Sequence, residues 1–344
     1  MNRTVAVWLG TVTFALILAV VAQLMAVRFL AAARRHRRQA FESTWLPILL
    51  GGMEKTPESL PRLERRDVMS FLTIWSRLQD SIVGEFREPL NAIAVRLGVD
   101  HVAREMLTHG NVGQRLLAAA TLGRLRDRGA WPELRALTTD RDSVLSLAVA
   151  RALLRIDPPV AVKLLLPLVA AREDWSPSAV ALMLQEVGAD AISQPLAEAA
   201  VRVAPERAHR VIRYFGLAHP EVVIPVIRDL LVQRADRSEC VTACLRVFCD
   251  TGDAAIVRRY VSDPRWEVRV RAIEVLGRVG TDDDRLQLAP LLSDPEWWVR
   301  YRAAQALCAL SSANVERLTR MSTSHRDPFA RDILAHALAE RRYA

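Results

Sequence analysis

The side chains able to do chemistry in this 344-residue chain are scattered. Seven histidines stand singly, with no HExxH and no His-x-His pair, so no helix face offers the paired imidazoles of a zinc site. Cys240, Cys244 and Cys249 follow one another with three and four residues between them, and Cys308 stands apart. Without a CxxC pair or a nearby pair of histidines, this spacing reads as small apolar residues buried on helices, and it fits a reducing compartment. Asp282-Asp283-Asp284 precedes a helical stretch, where capping and the helix dipole account for acidic side chains without a metal. There is no GxSxG, phosphate loop or Rossmann fingerprint. The expectation is a protein without catalytic, cofactor-binding or metal-binding residues.

The tryptophans are more informative. Trp266 and Trp297 occur at one position of a repeated phrase, Trp298 follows, and Trp175 lies near an equivalent place. Such aromatics either pack between neighbouring units or form a stripe of protein-binding anchors. Trp297 and Trp298 are adjacent, so on a helix they point about 100° apart and cannot both enter one core site. Trp266, Trp297 and Trp298 are therefore the candidate protein-binding residues.

The elements that position them come from the phrase itself. Asp263-Pro264-x-Trp266-x-Val268-Arg269-x-Arg271-Ala272 recurs as Asp294-Pro295-x-Trp297-x-Val299-Arg300-x-Arg302-Ala303, displaced by 31 residues. A period of this length signals a solenoid, whose units bury apolar faces only against their neighbours. Leu276, near the end of its helix, has counterparts at Leu122, Leu153, Leu184, Phe215, Phe248, Leu307 and Leu338, mostly 31 residues apart. Each marker ends one apolar helical run, and a loop leads to a second helix, as over 160–170 or 284–292. Small residues such as Ala118, Ala272, Ala303 and Ala306 let helices approach closely.

The phrase D-P-x-W-x-V-R-x-x-A-x-x-x-L-G resembles the HEAT repeat, in the short form also found in phycobilisome-lyase-like proteins. The likeness is strong at 263–280 and 294–310, fair at 115–127, and covers about 240 residues as spacing. It implies an all-α fold, an α-solenoid of about eight to nine helical hairpins. It also implies a structural ladder between units from Asp263, Arg269, Asp294 and Arg300, which breaks where Ser146 stands. Two enzyme-like relatives of this type imply other readings: a nucleic-acid-binding protein or alkylpurine DNA glycosylase, and a bilin lyase.

Charge argues against nucleic acid as a partner. The chain carries +8, but residues 1–38 hold six arginines and no acid, leaving 41 basic against 39 acidic groups elsewhere. Residues 4–27 carry no charge and are long enough, at about 1.5 Å per residue, to span a bilayer core of roughly 30 Å. Arg34, Arg35, Arg37 and Arg38 follow, marking a membrane-surface segment on the cytoplasmic side. The sequence thus predicts an anchor over 1–38, a helical connector or N-terminal cap over 39–83, and a repeat array over 84–344. Within the connector, 41–50 and 62–83 read as helices, the latter amphipathic. The expected protein is a single-pass scaffold of the inner (cytoplasmic) membrane, one transmembrane helix preceding a solenoid in the cytoplasm. Its partner would be a protein, itself membrane-associated, in an envelope polysaccharide glycosyltransferase or signalling complex.

Overall fold

The computed structural model describes residues 39–53, 57, 59–82, 86–248, 250–310 and 315–343, with scattered positions between 8 and 29. No strand occurs among the described residues. The fold is all-α and of α-solenoid type, and the chain divides into two compact units at 156/157.

The first unit contains α1 (39–51), α2 (Val68–Ser81), α3 (Arg87–Arg96), α4 (Val99–His109), α5 (Val112–Leu125), α6 (Trp131–Leu137) and α7 (Ser143–Ile156). Val68, Phe71, Leu72 and Trp75 recur at helical spacing on α2 and are all buried. Trp45 of α1 meets Phe71 edge-on with ring centroids 5.1 Å apart, and Trp75 Nε1 donates to the Leu90 carbonyl at 3.0 Å. The helix expected over 62–83 is shorter than its apolar stripe, because a 3₁₀ turn at Arg65–Asp67 precedes α2.

Helix α5 starts on a capping box. Asn111 accepts from the Gln114 backbone N–H at 3.0 Å while Gln114 accepts from that of Asn111 at 2.9 Å. It ends with Arg126 in the left-handed region (φ 53°), letting the Asp127 N–H reach the Leu122 carbonyl at 3.0 Å. Between these ends α5 packs on α7 without a side chain at the crossing. A Cβ on Gly123 would lie 2.7 Å from the Ala152 Cα, so only glycine fits there undisturbed.

The second unit runs through α8 (Pro158–Ala171), α9 (Pro177–Val187), α10 (Ala189–Arg202), α11 (Ala208–Ile212), α12 (Pro220–Gln233), α13 (Ser238–Val247), α14 (Ala254–Arg258), α15 (Trp266–Val279), α16 (Arg285–Leu288), α17 (Trp297–Ala309), α18 (Val315–Ser324) and α19 (Pro328–Tyr343). Here α11, α13, α15, α17 and α19 pack each on the next, as do α8, α10 and α12. Helices α8, α10 and α12 each hold an internal proline, Pro167, Pro195 and Pro225. Each proline removes one backbone donor, on a side of the helix away from the buried residues. The helix expected over 284–292 is divided for the same reason: α16 gives way to a 3₁₀ stretch at Ala289–Ser293 that contains Pro290.

Seven of the eight markers are buried, from Leu122 to Leu307, while Leu338 in the last helix is half-buried. Phe215 lies in a 3₁₀ turn and Phe248 caps α13. These two are where the 31-residue spacing gives way to 33 and 28.

The single-pass inner-membrane location, with the solenoid in the cytoplasm, is corrected. Among the described residues no helix is long and apolar enough to cross a membrane. A crossing needs about 20 mostly apolar residues, whereas the longest described helix, α19, has 16 and carries Arg331, Asp332 and Glu340. Most of 4–27, and Arg34, Arg35, Arg37 and Arg38, lie outside the described residues.

Candidate protein-binding surface

The repeated phrase builds a loop that sets where α15 and α17 begin. Asp263 Oδ1 accepts from the Arg265 N–H at 2.9 Å, and Asp294 Oδ1 accepts from the Glu296 N–H at the same distance. The aspartates therefore bind the backbone two residues on, and the prolines lie outside the first turn, which opens at Trp266 and Trp297. Arg269 donates to the carbonyls of Asp263 and Pro264 in its own loop, and at 2.8 Å to the Asp294 carboxylate of the next repeat. Arg300 donates likewise to the carbonyls of Asp294 and Pro295, but its guanidinium lies 5.7 Å from the centre of the Phe329 ring rather than on a carboxylate.

A second series of ion pairs lies among the other helices. Arg228 of α12 reaches Asp253 at 3.2 Å, and Arg258 of α14 reaches Asp284 at 2.5 Å. Asp284 is buried and also accepts from the Thr281 N–H at 2.7 Å, so the last residue of the acidic run is a cap. Burial raises its pKa, but the hydrogen bonds and charge of Arg258 and the Thr281 N–H outweigh that and hold the carboxyl below its usual range. Asp263 is held below its usual range chiefly by its hydrogen bond from Arg265.

The loops leave the aromatics facing outward. Val268 and Val299, two residues into the helices, are buried, whereas Trp266, Trp297 and Trp298 are 37, 48 and 50% exposed. Trp297 and Trp298 meet edge-on at 4.8 Å, and Trp297 stacks on Tyr301 at 5.2 Å with planes only 10° apart. The Tyr301 hydroxyl donates to Glu340 of α19 at 3.1 Å, and burial together with this bond raises its pKa, so it stays a donor. Phe329, at the start of α19, is 66% exposed. Sequence reasoning missed Tyr301 and Phe329. The signal for Tyr301 was its place four residues after Trp297, one helical turn along the same face.

Trp175 does not join this surface. It is buried in the turn before α9, with Arg172 over its ring at 5.4 Å. Cys240, Cys244 and Cys308 are buried on α13 and α17, and burial pushes the Cys308 thiol up. Cys249 lies outside the described residues.

The repeat profile agrees with the geometry. A family description for HEAT repeats matches residues 100–185 and 254–339, half of the chain. The chain belongs to the HEAT-repeat family. The two matched stretches of this HEAT-repeat protein include α5–α7 and α15–α17, two helix pairs that each cross at a glycine, Gly123 and Gly277. Among solved structures, the crystal structure of an engineered protein from the Northeast Structural Genomics Consortium is similar at 17% identity, over 84% of this chain and 88% of that one. Its TM-score is 0.36, so it carries no argument about architecture. None of the curated proteins matches the chain.

What the surface can do chemically is bury area. A half-exposed tryptophan leaves on the order of 100 Å² of ring to be covered, worth about 2–3 kcal/mol per ring once a partner excludes water.

Proposed function

We propose that this HEAT-repeat protein is a non-enzymatic scaffold that grips a protein partner through the aromatics at the heads of α15 and α17. Helical repeats of this family suggest a scaffold for protein interactions. The observation that supports the position of the contact is the cluster of Trp297, Trp298 and Tyr301, whose rings pack on one another while both tryptophans stay half exposed. Clustered Trp and Tyr side chains, ordered in advance, are the commonest energetic anchors of protein interfaces. Arg300 over Phe329 extends the same chemistry to the head of α19.

The test is affinity purification of the tagged full-length protein beside its Trp297→Ala/Trp298→Ala variant. A partner recovered with the wild type and lost with the variant, at equal expression and melting temperature, is the expected result. Equal recovery with both removes the aromatic cluster from the reading.

A further inference from the structure

Beside the aromatic cluster, α13, α15 and α17 line a groove of about 360 Å³. Four of its side chains are arginines: Arg246 in the last turn of α13, Arg271 and Arg278 on α15, and Arg302 on α17. One lining carboxylate, Glu274, faces them; it accepts a hydrogen bond from Arg271 and lies 2.9 Å from Arg302 Nε. Arg246 and Arg278 are exposed and have no ion-pair partner among the described residues. The Nε atom of Arg271 is buried without a hydrogen-bond acceptor, whereas that of Arg302 is held by Glu274. Burial, and then the charges of Arg246, Arg278 and Arg302, push the Arg271 guanidinium below its ordinary pKa against the pull of Glu274. The groove holds more positive charge than its one carboxylate offsets.

The scaffold does not require these charges. In the first unit the α5–α7 pair closes with Leu117, Ala120 and Ala148 at the positions of Arg271, Glu274 and Arg302. The arginine there that matches Arg278 is Arg124, and it is paired with Asp80 at 2.7 Å. The groove also runs into the aromatic cluster, because Arg302 lies 5.8 Å from the centre of the Tyr301 ring and donates to Gln305 at 2.8 Å.

We propose that this groove binds a short acidic segment of the protein partner, its Asp or Glu carboxylates seated on Arg246, Arg271, Arg278 and Arg302. An apolar residue next to those carboxylates rests on Trp297 and Tyr301. The proposal rests on the protein-binding reading and names the chemistry of what is bound. Guanidinium forks match carboxylates two bonds at a time, and the exposed forks of Arg246 and Arg278 are open to do so. A nucleic acid fits the same groove poorly. A duplex carries a charge about every 1.7 Å of its axis and a single strand about every 3.4 Å, and either calls for a long basic stripe. Here Glu274 and Glu340 interrupt the positive surface, and residues 39–344 hold 41 basic against 39 acidic groups.

The test is fluorescence anisotropy of the full-length protein with a labelled peptide of one leucine followed by a run of glutamates. The same peptide with glutamines and a labelled oligothymidylate serve as comparisons. The glutamate peptide is expected to bind, more weakly as salt rises, and the glutamine peptide is not. Arg246→Ser/Arg278→Ser removes two exposed, unpaired cations and is expected to weaken binding about tenfold with an unchanged melting curve. Equal binding of both peptides, unaltered binding by the double variant, or tighter binding of oligothymidylate overturns the proposal. If the glutamate peptide fails to bind while Trp297→Ala/Trp298→Ala still loses a captured protein, the groove is refuted and the scaffold reading stands.

Discussion

The helix pairs α5–α7 and α15–α17 follow one plan 154 residues apart, as Gly277 lies that far beyond Gly123. In both, a glycine replaces the side chain at the crossing: a Cβ on Gly123 would lie 2.7 Å from Ala152, and one on Gly277 would lie 3.0 Å from Ala306. In both, an aspartate before the second helix accepts from the backbone two residues on at 2.9 Å, Asp140 in one and Asp294 in the other. An arginine on the preceding helix faces each aspartate, Arg115 at 3.6 Å and Arg269 at 2.8 Å. The pairs part company at the head of the second helix, where Ser143 and Val144 stand in one and Trp297 and Trp298 in the other. The scaffold tolerates either, so the tryptophans are not what holds the repeat together. A feature present in one copy and dispensable in the other is where function is to be sought.

The largest expected effect separates the two ladders. Arg269 and Asp294 are both nearly buried and in direct contact, whereas Arg115 and Asp140 are longer and about a quarter exposed. Asp294→Ala should cost about 3 kcal/mol, because it strands a buried guanidinium, and Asp140→Ala about 1 kcal/mol. Urea unfolding of the two variants checks the difference, and equal losses would mean that the two ladders are equivalent.

The helix crossings come next. Gly123→Ala forces a methyl group against backbone atoms and should destabilise by about 1–2 kcal/mol despite better helix propensity, whereas Gly277→Ala should cost less than about 1 kcal/mol. Thermal melts compare the two directly.

Acid should act through the second unit's capping aspartates. The folded-state pKa values of Asp263 and Asp284 lie below the ordinary carboxylate value. Their contribution to stability is therefore full above about pH 4 and is lost as pH falls through the lowered pKa. Melting temperature should drop below that pH, and Asp284→Asn should flatten the drop while lowering stability at neutral pH. An unchanged acid profile in Asp284→Asn would remove Asp284 as a source of it.

The smallest effect is the most telling for function. Trp297→Ser with Trp298→Val, which copies the head of α7 onto α17, should change stability by less than about 1 kcal/mol, since both rings are half exposed. A loss of several kcal/mol in a melt would mean that the aromatics belong to the scaffold.

The sequence carried the array better than the site. Markers such as Leu153, Leu276 and Leu307 were legible because burial between stacked helices demands an apolar residue once per period. Phe215 and Phe248 were placed correctly at helix ends, but not the 3₁₀ turn and cap that accompany the broken spacing. Trp297 and Trp298 could be singled out because adjacent residues on a helix cannot share one direction. Trp175, an aromatic near the same offset, takes the other role open to such residues and fills a buried turn. The Arg228–Asp253 and Arg258–Asp284 pairs were hidden because their partners lie 25 and 26 residues apart without a repeated phrase around them. The arginine groove was hidden for a related reason: three separate helices must come together before its charges become neighbours. The uncharged run over 4–27 carried an expectation of a membrane location that no described helix supports.

Hydroxyl-radical footprinting of the protein with and without its captured partner shows whether the aromatic heads of α15 and α17 form the contact. Trp131, at the head of α6 in the first unit, serves as the reference. Oxidation of Trp297 and Trp298 is expected to fall several-fold on binding while that of Trp131 stays constant. Unchanged oxidation of Trp297 and Trp298 in a complex that has demonstrably formed would contradict that contact.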